Sequence, residues 1–251
     1  MIGKLERVLE LRAAASPAEV AEELARSRLI VALVGDRALT LDSLLALAAR
    51  GSLSSASIEE AEATLPRMSS RMGLRRALEC YLASGSKYGI LRARRTAALT
   101  PRSLASIAGD AIGLLDVAGA AARGAPAMVG PNATLRGALR RMARRKSICA
   151  FVVRAGRVRG VVDAWTALRL AAGEGEEVLE MSCSEVASQA PLRDSYRGLL
   201  QALAEYGFAA LVGREAPLLV DDVSLLQCLR EAFGKWRDVL PSRRRRLRRG
   251  S

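Results

Sequence analysis

The chain of 251 residues is long enough for one or two domains with packed cores, and its 50% apolar and 26% charged residues are typical of a globular protein. It contains no histidine, which excludes Ser-His-Asp and Cys-His nucleophile systems and every histidine-containing metal site. The formal net charge is +13, and aromatic residues make up only 4%, which argues against a platform for stacking single-stranded bases.

The first predicted unit begins with a capping box, Ser16-Pro17-Ala18-Glu19, followed by a helix whose apolar face contains Val20, Ala21 and Leu24. A short apolar strand follows at Leu29–Val34, and Gly35 with Asp36 predicts a turn. Thr40 then begins a second helix with an apolar stripe at Leu44, Leu45 and Leu47.

The same pattern recurs three times. Each unit has a helix stripe, two short strands and a closing helix. In the second unit the helix stripe is Leu74, Ala77, Leu78 and Tyr81, and the two strands are Tyr88–Leu91 and Ala97–Leu99. Its closing helix begins at Thr100-Pro101. In the third they are Leu135, Ala138, Leu139 and Met142, then a hairpin of Ile148–Val153 and Val158–Val162, then Asp163. In the fourth they are Tyr196, Leu199, Leu200 and Leu203, then Phe208–Val212 and Leu218–Val220, then Asp221.

The repeat length follows from the third residue of each closing helix, because Ser43, Ser103, Thr166 and Ser224 lie 60, 63 and 58 residues apart. The sequence therefore predicts an α/β fold of four helix-strand-strand-helix repeats. Their predicted bounds are 1–52, 53–110, 111–174 and 175–234, followed by a basic tail at 235–251.

The tail holds much of the charge. Eight basic residues and one acidic residue lie in 235–251, which gives this segment +7 of the net +13. Pro241 ends any helix that continues from Trp236. Two interpretations stay open: a tail that only keeps the chain soluble, or a nucleic-acid-binding segment that uses Arg243, Arg244, Arg245, Arg246, Arg248 and Arg249.

The four cysteines predict no metal site, because Cys80, Cys149, Cys183 and Cys228 are too far apart to form a CxxC clip. Scattered single cysteines are typical of buried small side chains in a reducing compartment. The first residues lack an apolar signal region, and the longest apolar runs, such as Leu29–Val34, are short. We therefore expect a cytoplasmic protein that does not enter a membrane.

The third unit resembles the cystathionine-β-synthase (CBS) domain. The resemblance rests on Pro131-Asn132-Ala133-Thr134-Leu135-Arg136-Gly137-Ala138-Leu139, on the Phe151–Val162 hairpin and on Gly160-Val161-Val162-Asp163-Ala164-Trp165-Thr166. The other units match in pattern more than in identity. The resemblance implies that the units pair through their sheets into two pseudo-symmetric modules, 1–110 and 111–234. It also implies clefts that bind adenosine-containing ligands such as AMP, ATP or S-adenosylmethionine.

In the CBS family motif, a Thr contacts phosphate and an Asp holds the ribose hydroxyls. The Thr positions here are Thr40, Thr100, Asp163 and Asp221, and the Asp positions are Ser43, Ser103, Thr166 and Ser224. No unit has the full pair, so helix capping is an alternative explanation at all four places. If these residues bind a ligand, the hydroxyls of the first module favour a phosphorylated compound. The acids of the second module favour a neutral or cationic one.

Three functions compete on this reading. The first is a regulatory, non-catalytic protein that senses an adenosine ligand, requires no cofactor and signals through a partner. The second is a nucleic-acid-associated protein that uses the tail, and the third is a ligand-free oligomerisation scaffold. No acid pair with catalytic spacing and no GxxxxGK[ST] loop favours an enzyme. We also expect a homodimer, because the stripes at Leu44/Leu45/Leu47 and Leu225/Leu226/Leu229 need a partner or a neighbouring module to cover them.

Overall fold

A computed structural model describes residues 5–72, 74–108, 126–173, 177–212 and 217–239 of the chain. The first repeat contains β2 (Leu9–Leu11), α1 (Pro17–Ser27), β3 (Val31–Val34), β4 (Arg37–Thr40) and α2 (Leu41–Arg50). The second contains β5 (Arg67–Ser69), α4 (Leu74–Ala83), β6 (Gly89–Arg92), β7 (Ala97–Leu99) and α5 (Pro101–Ala108). A preceding strand β1 (Glu6–Arg7) and a linker helix α3 (Ile58–Ala61) complete this half.

The third repeat contains β8 (Met128–Val129), α6 (Leu135–Arg145), β9 (Cys149–Arg154), β10 (Arg157–Asp163) and α7 (Ala164–Gly173). The short helix α8 (Cys183–Val186) leads to the fourth repeat, which contains β11 (Leu192–Arg193), α9 (Tyr196–Tyr206), β12 (Ala209–Leu211), β13 (Leu218–Val220) and α10 (Asp222–Val239). The predicted α/β class and the four repeats are confirmed. Helix α10 runs beyond residue 234, into the segment predicted as tail.

Each repeat also contains a leading strand that the sequence analysis did not predict. This strand pairs in parallel with the first hairpin strand, and the two hairpin strands pair antiparallel. Strand β1 instead pairs antiparallel with β7, so the chain crosses the second repeat before it enters the first.

Local sequence explains how the elements begin and turn. Ser16 and Glu19 form the predicted reciprocal capping box at the start of α1. The β9–β10 turn places Ala155 and Gly156 at φ of 49° and 72°, the left-handed region that a two-residue hairpin turn requires.

The helices connect the two halves of the chain. Helix α1 packs on α7 and α2 packs on α6, which joins the first and third repeats, while α5 packs on α9 and α10, which joins the second and fourth. The buried apolar residues form two clusters that follow this division for the most part, although Tyr88, Ile90 and Phe208 from the second and fourth repeats belong to the cluster of the first and third.

The leucine stripes lie inside these clusters. Leu44, Leu45 and Leu47 are at most 1% exposed, and Leu225, Leu226 and Leu229 are at most 7% exposed. The neighbouring half of the same chain therefore covers them, so they no longer argue for a dimer.

Candidate ligand-binding cleft

The first two predicted positions form reciprocal helix caps. Thr40 Oγ1 accepts from Ser43 N at 3.2 Å, while Thr40 N donates to Ser43 Oγ at 3.1 Å. Thr100 and Ser103 repeat this arrangement at 3.0 and 2.9 Å, and both are buried. Capping therefore occupies the hydroxyls that the sequence offered for phosphate.

The acids of the second half cap their helices in the same way. Asp163 Oδ1 accepts from Thr166 N at 3.0 Å, and its Oδ2 accepts from Thr166 Oγ1 at 3.1 Å. Asp221 Oδ1 accepts from both Ser224 N and Ser224 Oγ, at 2.9 and 2.8 Å. The structure therefore shows the capping alternative in all four repeats, and each pair caps the start of its own helix.

One of these pairs also lines a cavity. A cleft of about 400 Å³ opens where the closing helix of the third repeat approaches the fourth repeat. Asp163 and Thr166 contribute to one part of its wall. The remainder is formed by Arg28, Val161, Ser188, Gln189, Ala190, Pro191, Leu192, Arg193, Tyr206 and Phe208.

The cleft combines an apolar wall with charged groups. Phe208 is buried and packs edge-on against Phe151 with ring centroids 6.4 Å apart, which holds the wall in place. Tyr206 is half-buried and lies 6.3 Å from Phe208, so its ring offers an aromatic surface. Arg28 and Arg193 supply two positive charges against the single carboxylate of Asp163. A planar apolar group with a negatively charged substituent fits this chemistry.

Arg28 links the cleft to the first repeat. It ends α1 as a non-glycine residue at φ 52°. Its guanidinium lies 4.8 Å from the centroid of the Trp165 ring, and the Trp165 indole donates to Leu29 O at 2.9 Å. A ligand in the cleft would therefore contact the first and second halves of the chain together.

Arg102 completes this cluster from the second repeat. Its guanidinium lies 5.3 Å from the centroid of the Trp165 ring. The same group forms an ion pair with Glu6 and donates a hydrogen bond to Arg28 O at 3.0 Å. Both members of the pair are nearly buried. Burial raises the pKa of Glu6, although Arg102 opposes the rise.

A second charged cluster joins all four repeats around Lys87. Its ammonium lies 2.7 Å from Asp42 Oδ1 and 2.6 Å from Asp222 Oδ2, and it donates to Lys146 O. Asp222 Oδ1 accepts from Ile148 N at 3.1 Å. Burial raises the pKa of Asp222 to about 7, although Lys87 lowers it. Burial lowers the pKa of Lys87, but the two carboxylates outweigh it and raise the value overall.

Three residues of these clusters, Arg28, Arg102 and Lys87, were not predicted from the sequence. The partners of all three come from other repeats, so no local spacing reveals them. The left-handed cap at Arg28 had no signal either, since glycine is the usual residue there.

The remaining predictions fall outside the cleft. Arg243, Arg244, Arg245, Arg246, Arg248 and Arg249 lie outside the described residues. All four cysteines are free thiols, and the described residues contain no group of three side chains suited to a metal ion. Within the same part of the chain, no helix has the length and apolar character needed to cross a membrane.

Comparisons with known proteins support the fold. No protein-family model and no curated relative matches the sequence. Protein MJ1225 from Methanocaldococcus jannaschii, described as a proposed archaeal homologue of γ-AMPK, has a similar structure. Its TM-score is 0.66 at 11% identity, and the match covers 91% of this chain and 99% of that one.

A conserved uncharacterised protein from Pyrococcus horikoshii matches at a TM-score of 0.47 and 14% identity, over 79% of this chain and 89% of its own. At such low identity, the likeness to MJ1225 shows a shared fold, one that is consistent with CBS repeats.

Proposed function

We propose that this chain is a regulatory, non-catalytic protein that binds an adenosine-containing ligand in the cleft between its third and fourth repeats. The observation that carries the proposal is the position of Asp163 and Thr166. The sequence pattern named this pair as one of four candidate ligand-binding pairs, and both of its residues line a cavity that also holds an aromatic ring and two arginines. The description of MJ1225 as a γ-AMPK homologue supports a regulatory role.

The groups in the cleft suit such a ligand. The apolar wall near Phe208 and the ring of Tyr206 can contact a base, while Asp163 can accept hydrogen bonds from ribose hydroxyls in addition to its cap. Arg28 and Arg193 favour an anionic substituent. Because Arg28 comes from the first repeat, ligand binding would stabilise the packing of the two halves, and a partner could read that change.

A thermal-unfolding panel tests the proposal with adenosine, AMP, ADP, ATP, S-adenosylmethionine and methylthioadenosine. A ligand at one hundred times its dissociation constant adds about 2.7 kcal/mol to the free energy of unfolding, which corresponds to a rise in Tm of roughly 5–10 °C for a chain of this size.

Two glutamine substitutions locate the site. Gln189→Trp fills the cleft at an exposed lining residue and should abolish the rise in Tm. Gln201→Trp, at an exposed position on α9 that does not line the cleft, should leave it unchanged. No rise with any of these compounds, or a rise that survives Gln189→Trp, would contradict the proposal.

Nucleic-acid binding is a second candidate, and a specific observation favours it. Arg140, Arg141, Arg144 and Arg145 are all exposed on α6, which has no acidic residue, so a positive surface exists on the folded body as well as in the tail. In this candidate the Arg243–Arg249 segment supplies most of the phosphate contacts. Self-association as a homodimer stays a prediction for light scattering to test.

A further inference from the structure

A second cavity adjoins the cleft. It has a volume of about 510 Å³ and lies between α1 and α7. Arg28 and Thr166 line both cavities, so the two spaces share a wall. We call the second space the arginine cavity. Its lining consists of Glu22, Ala25, Arg26, Arg28, Trp165, Thr166 and Arg169.

The arginine cavity has an excess of positive charge. Three arginines face one carboxylate, that of Glu22. Arg26 pairs with Glu23, but neither Arg28 nor Arg169 has an ion-pair partner among the described residues. Exposed guanidinium groups that outnumber the carboxylates around a cavity are an arrangement that suits the binding of phosphate groups.

Arg28 has a replaceable partner. Its guanidinium stacks on Trp165, which is a weaker contact for an exposed arginine than a charge-assisted hydrogen bond to phosphate. Arg102, on the same ring, is instead held by Glu6 and by the carbonyl of Arg28. An anion between the cavities would therefore draw Arg28 from the ring and leave Arg102 in place.

We propose that the cleft and the arginine cavity bind one ligand, a nucleoside carrying two or more phosphate groups. The nucleoside occupies the cleft, and the phosphates extend past Arg28 towards Arg169. This inference rests on the proposed function and narrows it, because it selects a nucleoside polyphosphate over a monophosphate or a sulfonium compound. It also makes Arg28 and Arg169 the residues that determine specificity.

Calorimetric titration with adenosine, AMP, ATP and inorganic tripolyphosphate tests the inference on the full chain. ATP should bind at least about tenfold more tightly than AMP, the difference made by one additional charge-assisted contact. Arg169→Ala should weaken ATP about tenfold and leave AMP within about twofold, for the same reason. The matched control, Arg50→Ala, removes an exposed arginine at the end of α2 that lines neither cavity, and it should change neither affinity.

Fluorescence gives an independent readout of Arg28. The chain has two tryptophans, so a Trp236→Phe variant leaves Trp165 as the reporter. ATP should change the emission of Trp165, and Arg28→Ala should remove that response.

Equal affinities for AMP and ATP, or an ATP affinity unaffected by Arg169→Ala, would overturn the inference while leaving the proposed function intact. Tripolyphosphate binding as tightly as ATP would also overturn it, because the nucleoside would then contribute nothing. If no adenosine compound binds, the proposed function itself fails.

Discussion

Replacing Lys87 with Met should destabilise the fold more than almost any other single change of charge. Its ammonium lies between Asp42 and Asp222, and the three side chains are 11%, 20% and 2% exposed. At pH 8, above the pKa of about 7 for Asp222, this carboxylate is ionised, and without Lys87 it faces Asp42 in a site with little water. Removing one partner of a buried ion pair costs about 3–5 kcal/mol.

This loss should lower Tm by roughly 6–20 °C, since 1 kcal/mol corresponds to about 2–4 °C for a chain of this size. Urea unfolding followed by circular dichroism measures the free energy directly. The triple variant Lys87→Met/Asp42→Asn/Asp222→Asn should recover most of the loss, because no unpaired charge remains.

A surface pair provides the control. Arg37 pairs with Glu59 at an exposed position, with side-chain exposures of 43% and 59%. Arg37→Met should therefore cost less than about 1 kcal/mol. A loss of less than about 1 kcal/mol in the free energy of unfolding for Lys87→Met would refute the reasoning. A triple variant no more stable than Lys87→Met alone would also refute it.

Three further predictions follow from the charges. Burial raises the pKa of Asp222 to about 7 from an ordinary 3.8, so the folded state binds a proton on this carboxyl more tightly than the unfolded state does. The stability that this proton contributes is therefore lost as the pH rises towards and through 7. Between pH 5 and pH 8 the urea midpoint of the wild type should fall relative to that of Asp222→Asn; parallel profiles would contradict this. Arg102→Met leaves Glu6 buried without its partner, so unfolding should become easier by several kcal/mol and more so at pH 8 than at pH 5, with part of the loss restored by Glu6→Gln. Deleting Ser242–Ser251 should remove most affinity for RNA or DNA at low salt and leave nucleotide binding unchanged, whereas full retention in the truncated chain would place that binding on the body.

The repeat organisation could be predicted because its signals are local. The capping box at Ser16 and Glu19, the caps at Thr40 and Asp163 and the apolar stripes of the helices each depend on residues within one or two turns. These signals also fixed the spacing of the repeats, and the structure confirms the α/β class.

The leading strands escaped prediction for a physical reason. Strand β8 has only two residues, Met128–Val129, and exists because it pairs with β9. A segment that short has no periodicity of its own, so only the neighbouring strand reveals it.

The cleft was predicted in part. Asp163 and Thr166 were selected by their place in the repeat, but the electrostatic expectation for their site considered only residues near them in sequence. Arg28 reaches the same cleft from the first repeat and Arg193 from the fourth, so the cleft carries more positive than negative charge. Which distant side chains meet at a site depends on helix packing, and the sequence pattern does not specify it.

A crystal structure of the full chain grown with ATP tests the central claim most directly. The account predicts adenosine density in the cleft beside Asp163 and Tyr206, with phosphates next to Arg28 and the Arg28 guanidinium moved off the Trp165 ring. Ligand density at the caps of the first half, beside Thr40 and Thr100, with the cleft empty, would contradict it.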